Sequence, residues 1–381
     1  MAWKDEKSKA GVDQSKTHGS PRSTNGKRPD RSGKRAVTLD DVAKLAGVSP
    51  STVSRVVSNR TPVSPDVRET VERAIVRLGY VPNRAARNLV TSRSDSIGVV
   101  LPEPISQWGI DPVIGPLLFG ISAGLEQTDI QLVLMMTSTR RDNERVQRYL
   151  QKGHVDGVIV VGSHSEDSVP GQLQKHGIPM VFSGRPAVDL DVDFVDADHR
   201  SGARLAVSHL VAGGRHRIAT IHGTLDMPSS RDKLEGYRDA LVSAGLPLDS
   251  SMEAAGDYYN PTSATAAMQT LLARHPEVDA VFVASDAMAA AAVGVIQQAG
   301  LRIPEDIAIV GYDGTPVALA TRPMLTTVRQ PIEAMGRAMA ERLLRRIDYP
   351  DEPTSHIIFS TELIVRESSG ALTEEHSRSR S

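Results

Sequence analysis

Beyond Ser96 the sequence alternates between short apolar runs of strand length and longer amphipathic runs, and this alternation restricts the fold more than any other feature of the chain. The apolar runs are Ile97–Leu101, Gln131–Met136, Gly157–Val161, Pro179–Phe182, Arg217–Ile221, Ala280–Ala284 and Ile307–Val310. The amphipathic runs between them are Leu117–Glu126, Asn143–Leu150, Gly202–Val211, Lys233–Ala244, Thr262–Ala273 and Ala287–Ala299. Strands and helices in alternation form parallel sheets that helices cover on both faces. Because about 270 residues carry two such series, we predict two doubly wound α/β lobes with a ligand cleft between them.

The net charge of −2 is the sum of two regions of opposite sign. Residues 1–93 contain 19 Lys and Arg against 9 Asp and Glu, whereas residues 94–381 contain 25 against 37. A basic region on an acidic body favours a polyanionic partner that is bound at one end. Residues 1–36, with hardly any large apolar side chain, are predicted to be a disordered basic tail. This tail either attracts phosphates, or is only a solvated extension or the product of a misplaced translation start. Residues 369–381 are predicted to be a second polar tail.

Several classes of protein are disfavoured by what the sequence lacks. The chain has no cysteine, no apolar signal segment at its N-terminus and no apolar run long enough to span a membrane. It has neither an H-E-x-x-H motif nor a G-x-x-x-x-G-K-[ST] loop. The segment Gly120–Gly124 matches the G-x-S-x-G pattern of hydrolases, but it falls inside a predicted helix instead of at a strand-to-helix turn. We therefore predict a cytoplasmic protein without a metal, a cofactor or a catalytic site.

Residues 37–82 show three short helical patterns with start and stop signals. Thr38 and Asp41 resemble a capping box, Ser49-Pro50 and Ser64-Pro65 mark two further starts, and Gly47 and Gly79 mark ends. The first two helices have helix-turn-helix spacing, which would place the second one in a DNA major groove. The predicted DNA contacts in this region are Thr38, Pro50, Ser51, Thr52, Ser54, Arg55 and Asn59. A small helical domain that binds protein is the alternative that this pattern leaves open.

The segment Val37–Asn59 closely resembles the DNA-binding head of the lactose-repressor (LacI/GalR) family of bacterial transcription regulators. The resemblance continues in order through Gly79–Leu89, the segments around Asp196, Asp286 and Asp313, Pro323–Gln330 and Thr361–Arg366. It implies a helix-turn-helix domain in residues 37–82, a hinge helix and linker in residues 83–95, and a periplasmic-binding-protein-like core of two lobes in residues 96–368. It also implies that the chain crosses between the lobes three times, which we place near Val195, Ala320 and Pro350.

The same resemblance implies a function and partners. The protein would be a nucleoid-associated homodimer that binds a near-palindromic operator, most simply as a repressor, under the control of a small-molecule effector such as a sugar. The implied hinge contacts to DNA are Asn83, Ala86, Arg87 and Leu89, with Leu89 wedged into a minor-groove step. Some members form tetramers through a C-terminal leucine heptad, but residues 368–381 contain a single leucine, Leu372. We therefore predict a dimer.

Polar side chains at the ends of predicted strands are expected to line the effector cleft. The resemblance implies that the Asp286 carboxylate accepts sugar hydroxyls, and capping of the following helix is the alternative role for this residue. The other predicted effector contacts are Trp108, Asp111, Arg185, Arg231, Lys233 and Tyr258. Many family members carry an arginine where this chain has Lys233, and the two side chains are not equivalent donors. The effector could therefore be a neutral sugar, a sugar phosphate or a protein corepressor, or there could be none.

Two other functions compete with this interpretation. A solute-binding protein would share the two lobes but would have no use for the basic head. A sugar-processing enzyme would need a nucleophile or an acid pair in the cleft, and no motif in the sequence supplies one.

Overall fold

The computed structural model describes residues 37–58, 63–80, 93–101, 112–137, 139–162, 169–258, 260 and 262–370. The chain divides into two compact units, residues 1–83 and 84–381. Among the described residues, no helix is both long enough and apolar enough to cross a membrane.

The N-terminal unit contains three helices, α1 (Leu39–Ala46), α2 (Pro50–Ser58) and α3 (Pro65–Leu78). A capping box starts α1: Thr38 Oγ1 accepts a hydrogen bond from the Asp41 amide at 3.3 Å, and the Asp41 carboxylate accepts one from the Thr38 amide at 2.9 Å. Each of these bonds satisfies a backbone donor that would otherwise have no partner at a helix start. The first predicted cap is therefore present.

The remaining helix signals are mostly present as well. Ser49 Oγ accepts from the Thr52 amide at 3.1 Å at the start of α2, whereas Ser64 makes no side-chain cap bond, so α3 relies on Pro65 in its first turn. Gly47 ends α1 in the left-handed conformation that glycine adopts without strain. The core of this unit consists of Val42, Ala43, Val53, Val56, Val71, Ala74 and Tyr80.

The second unit contains two six-stranded sheets. The strands are β1 (Ser96–Leu101), β2 (Gln131–Met136), β3 (Gly157–Val161), β4 (Met180–Ser183), β5 (Asp193–Ala197), β6 (Ile218–His222), β7 (Glu253–Ala255), β8 (Ala280–Val283), β9 (Ala308–Asp313), β10 (Thr326–Arg329), β11 (His356–Phe359) and β12 (Glu362–Ile364). The helices are α4 (Ile114–Gly124), α5 (Arg140–Gln151), α6 (Val169–Lys175), α7 (His199–Ala212), α8 (Pro228–Ser243), α9 (Thr262–Arg274), α10 (Asp286–Gln298), α11 (Val317–Ala320) and α12 (Ile332–Asp348).

The strand order is β11-β5-β4-β3-β1-β2 in the first lobe and β12-β10-β9-β8-β6-β7 in the second. All described pairings are parallel except that of β12 with β10. Each sheet is apolar on both faces: in β3, Ile159 and Val161 pack against α4 and α12, whereas Val158 and Val160 pack against α5 and α6. This burial explains the continuous apolar runs of the sequence, and the predicted class of two doubly wound lobes is confirmed.

The first crossing of the chain between the lobes lies near its predicted position, and the other two lie about ten residues later than predicted. β5 ends the first lobe at Ala197 and α7 already belongs to the second, so the first crossing is at residue 198, near the predicted Val195. The second crossing is at residues 330–331 and not at Ala320, because β10 still pairs within the second sheet. The third is at residues 360–361 and not at Pro350, because β11 returns to β5 before β12 joins β10.

The two glycines of the G-x-S-x-G match allow α4 and α12 to pack closely. A Cβ atom on Gly120 would lie 2.1 Å from the Glu333 carbonyl oxygen, and one on Gly124 would lie 2.7 Å from the Ala340 Cβ. Both glycines lie within α4, so the segment is a helix-packing surface and not a nucleophile turn.

Candidate functional sites in the two units

The exposed face of α2 is the candidate DNA-reading surface. Pro50, Ser51, Ser54 and Arg55 are exposed on it, whereas Val53 on the opposite face is fully buried. A helix that is anchored by its apolar face and presents short hydroxyls and one guanidinium can read base edges in a major groove. This is the arrangement that the sequence predicts for α2.

Hydroxyl groups cluster at the start of α2. Ser49 Oγ lies 2.8 Å from Ser51 Oγ and 2.9 Å from Thr52 Oγ1. Thr38 is also engaged locally, since its hydroxyl donates to Asp41 at 2.8 Å. Thr52 and Thr38 therefore stabilise helix starts, whatever contact they make with DNA.

Some predicted site residues lie outside the described part of the chain. These are Asn59, Asn83, Ala86, Arg87 and Leu89 among the predicted DNA contacts, and Trp108 and Asp111 among the predicted effector contacts.

A cavity of about 180 Å³ lies between the two lobes of the second unit, at the carboxyl ends of the strands. Its apolar wall comes mainly from the first lobe and includes Ile114, Leu117, Val161, Ile332 and Met335. Its polar wall includes Ser183, Asp196, His199, Ser229, Lys233, Tyr258, Ser285, Asp313 and Gln330. One apolar wall and several converging polar groups are typical of a small-molecule site.

Lys233 lies at the centre of the polar wall. Its side chain is buried, and Nζ donates to the Ala284 carbonyl oxygen at 3.0 Å and lies 3.8 Å from Asp313 Oδ1. The same Nζ lies 4.0 Å from the ring centroid of Tyr312 and 5.0 Å from that of Tyr258. The carbonyl, the carboxylate and the two rings together compensate the buried cation.

Asp313 is held in an uncommon backbone conformation at the end of β9. Its φ is 101°, and its Oδ1 accepts from Gln330 Nε2 at 2.8 Å. Burial raises the pKa of Asp313 above its ordinary value, although the nearby Lys233 cation and the Gln330 hydrogen bond oppose the shift. Strained residues of this kind persist where the surrounding structure fixes them, which is common in ligand sites.

Asp286 does not lie where its predicted role as a ligand contact would place it. It is fully buried and does not line the cavity, because its carboxylate accepts from the Thr315 amide at 2.7 Å, from the Thr315 hydroxyl at 3.0 Å and from the Thr327 hydroxyl at 2.6 Å. The predicted contact with a sugar has no geometric support in this conformation. The alternative role as the cap of α10 is taken by Ser285, which accepts from the Met288 amide, and the sugar contact of Asp286 stays a prediction.

Asp196 and His199 form a second polar pair in the cavity wall. His199 Nε2 lies 3.1 Å from Asp196 Oδ1, and His199 Nδ1 lies 3.3 Å from Tyr312 Oη. Burial alone would raise the pKa of Asp196, but hydrogen bonds from His199 and from the amides of Arg185 and Ala197 outweigh it and lower the pKa. Asp196 therefore presents a charged acceptor to the cavity.

The three other predicted effector contacts in the described part of the chain differ in whether they line the cavity. Tyr258 lines the cavity, as predicted for an aromatic ring that faces a ligand. Arg185 does not line it, because its guanidinium turns outward to Asp232 on α8 at 2.8 Å. Arg231 is exposed and donates to the carbonyl oxygens of Leu225 and Asp226, so it is not directed into the cavity either.

Asp196, His199, Asp313 and Gln330 line the cavity, although none of them was predicted as an effector contact. Asp313 ends β9 and Gln330 follows β10, and the carboxyl ends of parallel strands are where ligands bind in such sheets. Position at a strand end was therefore the usable signal for these two residues.

Two segments of the chain match known protein families. Residues 38–83 match the model described as bacterial regulatory proteins, lacI family, and residues 207–369 match the periplasmic binding protein-like domain. The chain is 43% identical over 337 residues to the HTH-type transcriptional regulator CelR of Thermobifida fusca, covering 88% of this chain and 99% of that protein. It is 34% identical over 317 residues to the ribose operon repressor of Escherichia coli (strain K12), covering 82% and 94%.

Solved structures give the same result. The structure of a transcriptional regulator CelR–cellobiose complex is 41% identical, with a TM-score of 0.71, and the match covers 87% of this chain and 99% of that one. The lac repressor dimer bound to operator and the anti-inducer ONPF is 29% identical, with a TM-score of 0.75, over 88% and 100% of the two chains.

Proposed function

The chain belongs to the lacI family of bacterial regulatory proteins, and from that premise we propose that it is a repressor whose operator affinity is set by a neutral carbohydrate in the interlobe cavity. Its relatives are DNA-binding transcriptional regulators and not enzymes, which confirms the predicted class. The interpretation as a solute-binding protein without a DNA role fails, because the relatives share the head as well as the lobes.

The charge balance of the cavity is the observation that carries the choice of a neutral ligand. Lys233 is the central cation of the polar wall, and it is already opposed by Asp313 at 3.8 Å, while Asp196 adds a second carboxylate. A phosphate would be repelled by both carboxylates, whereas sugar hydroxyls can donate to carboxylates and accept from Lys233 and Gln330. The apolar wall suits the C–H face of a sugar ring.

We propose a short oligosaccharide of the cellobiose type as the effector, because the CelR structure is described as a cellobiose complex. A cavity of about 180 Å³ is smaller than the ~300–1,000 Å³ of typical ligand sites. A disaccharide would therefore bind with the lobes further apart than they are here.

We also propose that two copies of the chain bind a near-palindromic operator on the nucleoid, in the cytoplasm. Base contacts would come from Ser51 and Arg55 on the exposed face of α2, and Leu89 would act in the minor groove. The proposal of a dimer rests on the two-fold symmetry that such operators require.

The test is a ligand screen on the full chain. Cellobiose should raise the melting temperature by mass action and release a labelled operator in fluorescence anisotropy, whereas glucose 6-phosphate should do neither. Tyr258→Ala should lose the cellobiose response, Tyr258→Phe should keep it, and Tyr349→Ala is the matched control because Tyr349 is exposed and does not line the cavity. A response to the phosphate alone, or equal responses of both alanine variants, would overturn the proposal.

A further inference from the structure

We propose that Gly223 and Ser230 form a seat that fixes the ring of Tyr258 in the cavity wall before the effector binds, an inference that rests on the proposed effector site. Tyr258 lines the cavity, whereas Gly223 and Ser230 lie behind it and do not. Both residues therefore act on the ligand through Tyr258, as positioning residues.

The backbone that leads to Tyr258 is fixed, but this does not determine the direction of its side chain. Tyr258 lies beyond β7, an edge strand of only three residues. The Gly256 amide donates to the His222 carbonyl oxygen at 2.7 Å. The Asp257 amide donates to Ser263 Oγ in the first turn of α9 at 2.8 Å. The contacts of the ring itself therefore decide where the side chain of Tyr258 points.

The first part of the seat is the bare backbone of Gly223, which follows β6. A Cβ atom on Gly223 would lie 2.2 Å from Cε2 and 2.4 Å from Cζ of Tyr258. Carbon atoms in van der Waals contact lie about 3.5–4.0 Å apart. Any side chain at position 223 would therefore displace the ring, and the cavity is the open space beside it.

The second part of the seat is the hydroxyl group of Ser230 on α8. Ser230 is fully buried, and its Oγ donates to Tyr258 Oη at 3.1 Å. The same Oγ lies 2.8 Å from the place of a Cβ atom on Gly223, so the two parts adjoin each other. Because a phenol can accept and donate at once, Tyr258 keeps its own hydroxyl proton for a ligand oxygen.

All three residues belong to the second lobe. Gly223 follows β6, Ser230 lies on α8 and Tyr258 follows β7, and β6 pairs with β7 in the second sheet. The seat therefore moves with this lobe as one body. It holds the ring in the same way when the lobes lie further apart, as a disaccharide requires.

A ring that is fixed in advance favours binding because the ligand does not have to order it. Ordering one mobile side chain on binding typically lowers an affinity about twofold to tenfold. Loss of the Ser230 hydroxyl should have an effect of this size. Tyr258→Phe keeps the contact with Gly223 and loses only the bond to Ser230, so its affinity should fall to the same extent while its response to cellobiose remains.

The binding test is calorimetric titration of the full chain with cellobiose. Ser230→Ala should weaken binding about twofold to tenfold in the wild type and have no further effect in Tyr258→Phe, because both changes remove the same bond. Gly223→Ala should weaken binding more strongly, since the displaced ring occupies the cavity. Ser243→Ala is the matched control, an exposed serine on the same helix, and should bind cellobiose like the wild type. Without ligand, each variant should bind the operator normally, which verifies its folding.

A second measurement needs no ligand. The chain has seven tyrosines, so labelling them with ¹³C at Cζ gives few NMR resonances, and Tyr258→Phe identifies that of Tyr258. This resonance should shift in Ser230→Ala and in Gly223→Ala and stay unchanged in Ser243→Ala. Failure of cellobiose to bind would contradict the proposed effector but leave this test decisive. An unchanged resonance in Ser230→Ala and Gly223→Ala would overturn the seat. So would losses of affinity from Ser230→Ala and Tyr258→Phe that add.

Discussion

Arg55 is the residue on which base discrimination by the head is expected to depend, because a guanidinium can donate two parallel bonds to one guanine. Arg55→Ala should lose about 1–3 kcal/mol of discrimination at one base pair. Competition binding of the full chain against operators changed at single positions measures this loss. Arg73→Ala on α3, which is exposed and not a predicted DNA contact, is the control, and equal weakening by Arg55→Ala on every sequence would show that Arg55 touches phosphate instead.

Asp286 makes the stability of the protein depend on pH. Burial and the neighbouring Asp313 raise its pKa from 3.8 to about 7, so between these values the folded chain holds a proton that the unfolded chain has released. Stability therefore falls as the pH rises from about 4 to 7, by up to about 1.4 kcal/mol per pH unit for one proton. The lowered pKa of Asp196 acts in the opposite sense and at lower pH.

Asp286→Asn should make this decline shallower, because the amide oxygen can still accept from Thr315 and the amide nitrogen can donate to Thr327. Urea unfolding at pH 5 and pH 8 measures the difference. Asp306→Asn is a suitable control, since the pKa of Asp306 is lowered to about 2 and its contribution is lost only in acid. An undiminished decline in Asp286→Asn would show that other groups cause it.

At the scale of elements, the contact between α4 and α12 depends on glycine. Gly120→Ala should destabilise the chain by about 1–3 kcal/mol, because the new methyl group would collide with the Glu333 backbone. Gly115→Ala, on the same helix with nothing within 4 Å, should stabilise it by about 0.5–1 kcal/mol through helix propensity. Chemical denaturation midpoints distinguish the two, and shifts of the same sign would contradict this account of the packing.

Some elements could be predicted from the sequence and others could not, for physical reasons. β2 and β3 have the predicted bounds because both are continuous apolar runs. β5 and β10 were not predicted, since each is short and is interrupted by polar side chains. These side chains form hydrogen bonds with other segments of the same lobe. α12 was not predicted either, although Met335, Met339 and Leu343 recur at helical spacing.

The residues of the candidate site could likewise be predicted only in part from the sequence. Lys233 and Tyr258 line the cavity as expected, whereas Arg185 turns away because its partner comes from a helix in the other lobe. Asp286 is buried because Thr315 and Thr327, from two later segments, occupy its carboxylate. The sequence identifies residues that can act at strand ends, but the direction of a side chain depends on partners that only the fold brings close.

At the scale of the whole molecule, the charge asymmetry predicts which part of the chain supplies the sequence-independent affinity for DNA. Residues 1–36 hold ten Lys and Arg against four Asp and Glu. Removal of residues 2–36 should weaken binding to random DNA and reduce the salt dependence by about 0.9 in log–log slope for each phosphate that is no longer neutralised, with little change in operator preference. Salt titrations of the full and the shortened chain test this, and removal of residues 371–381, which carry two Arg and two Glu, is the control. An unchanged slope would show that the N-terminal charges do not reach DNA.

The three crossings of the chain also set the order in which a ribosome can complete the lobes. β11, which pairs with β5, and α12, which covers one face of the first sheet, are synthesised only after nearly all of the second lobe. About 160 residues separate β5 from β11, so at ~5–20 residues per second the first sheet waits roughly 10–30 s for its last strand. During that interval Val99, Ile159 and Val181 lack the cover of Met339 and Leu343. The lobe that is begun first thus stays incomplete until β11 is made, and the nascent chain presents an apolar sheet face to the chaperones at the ribosome exit until translation is almost over.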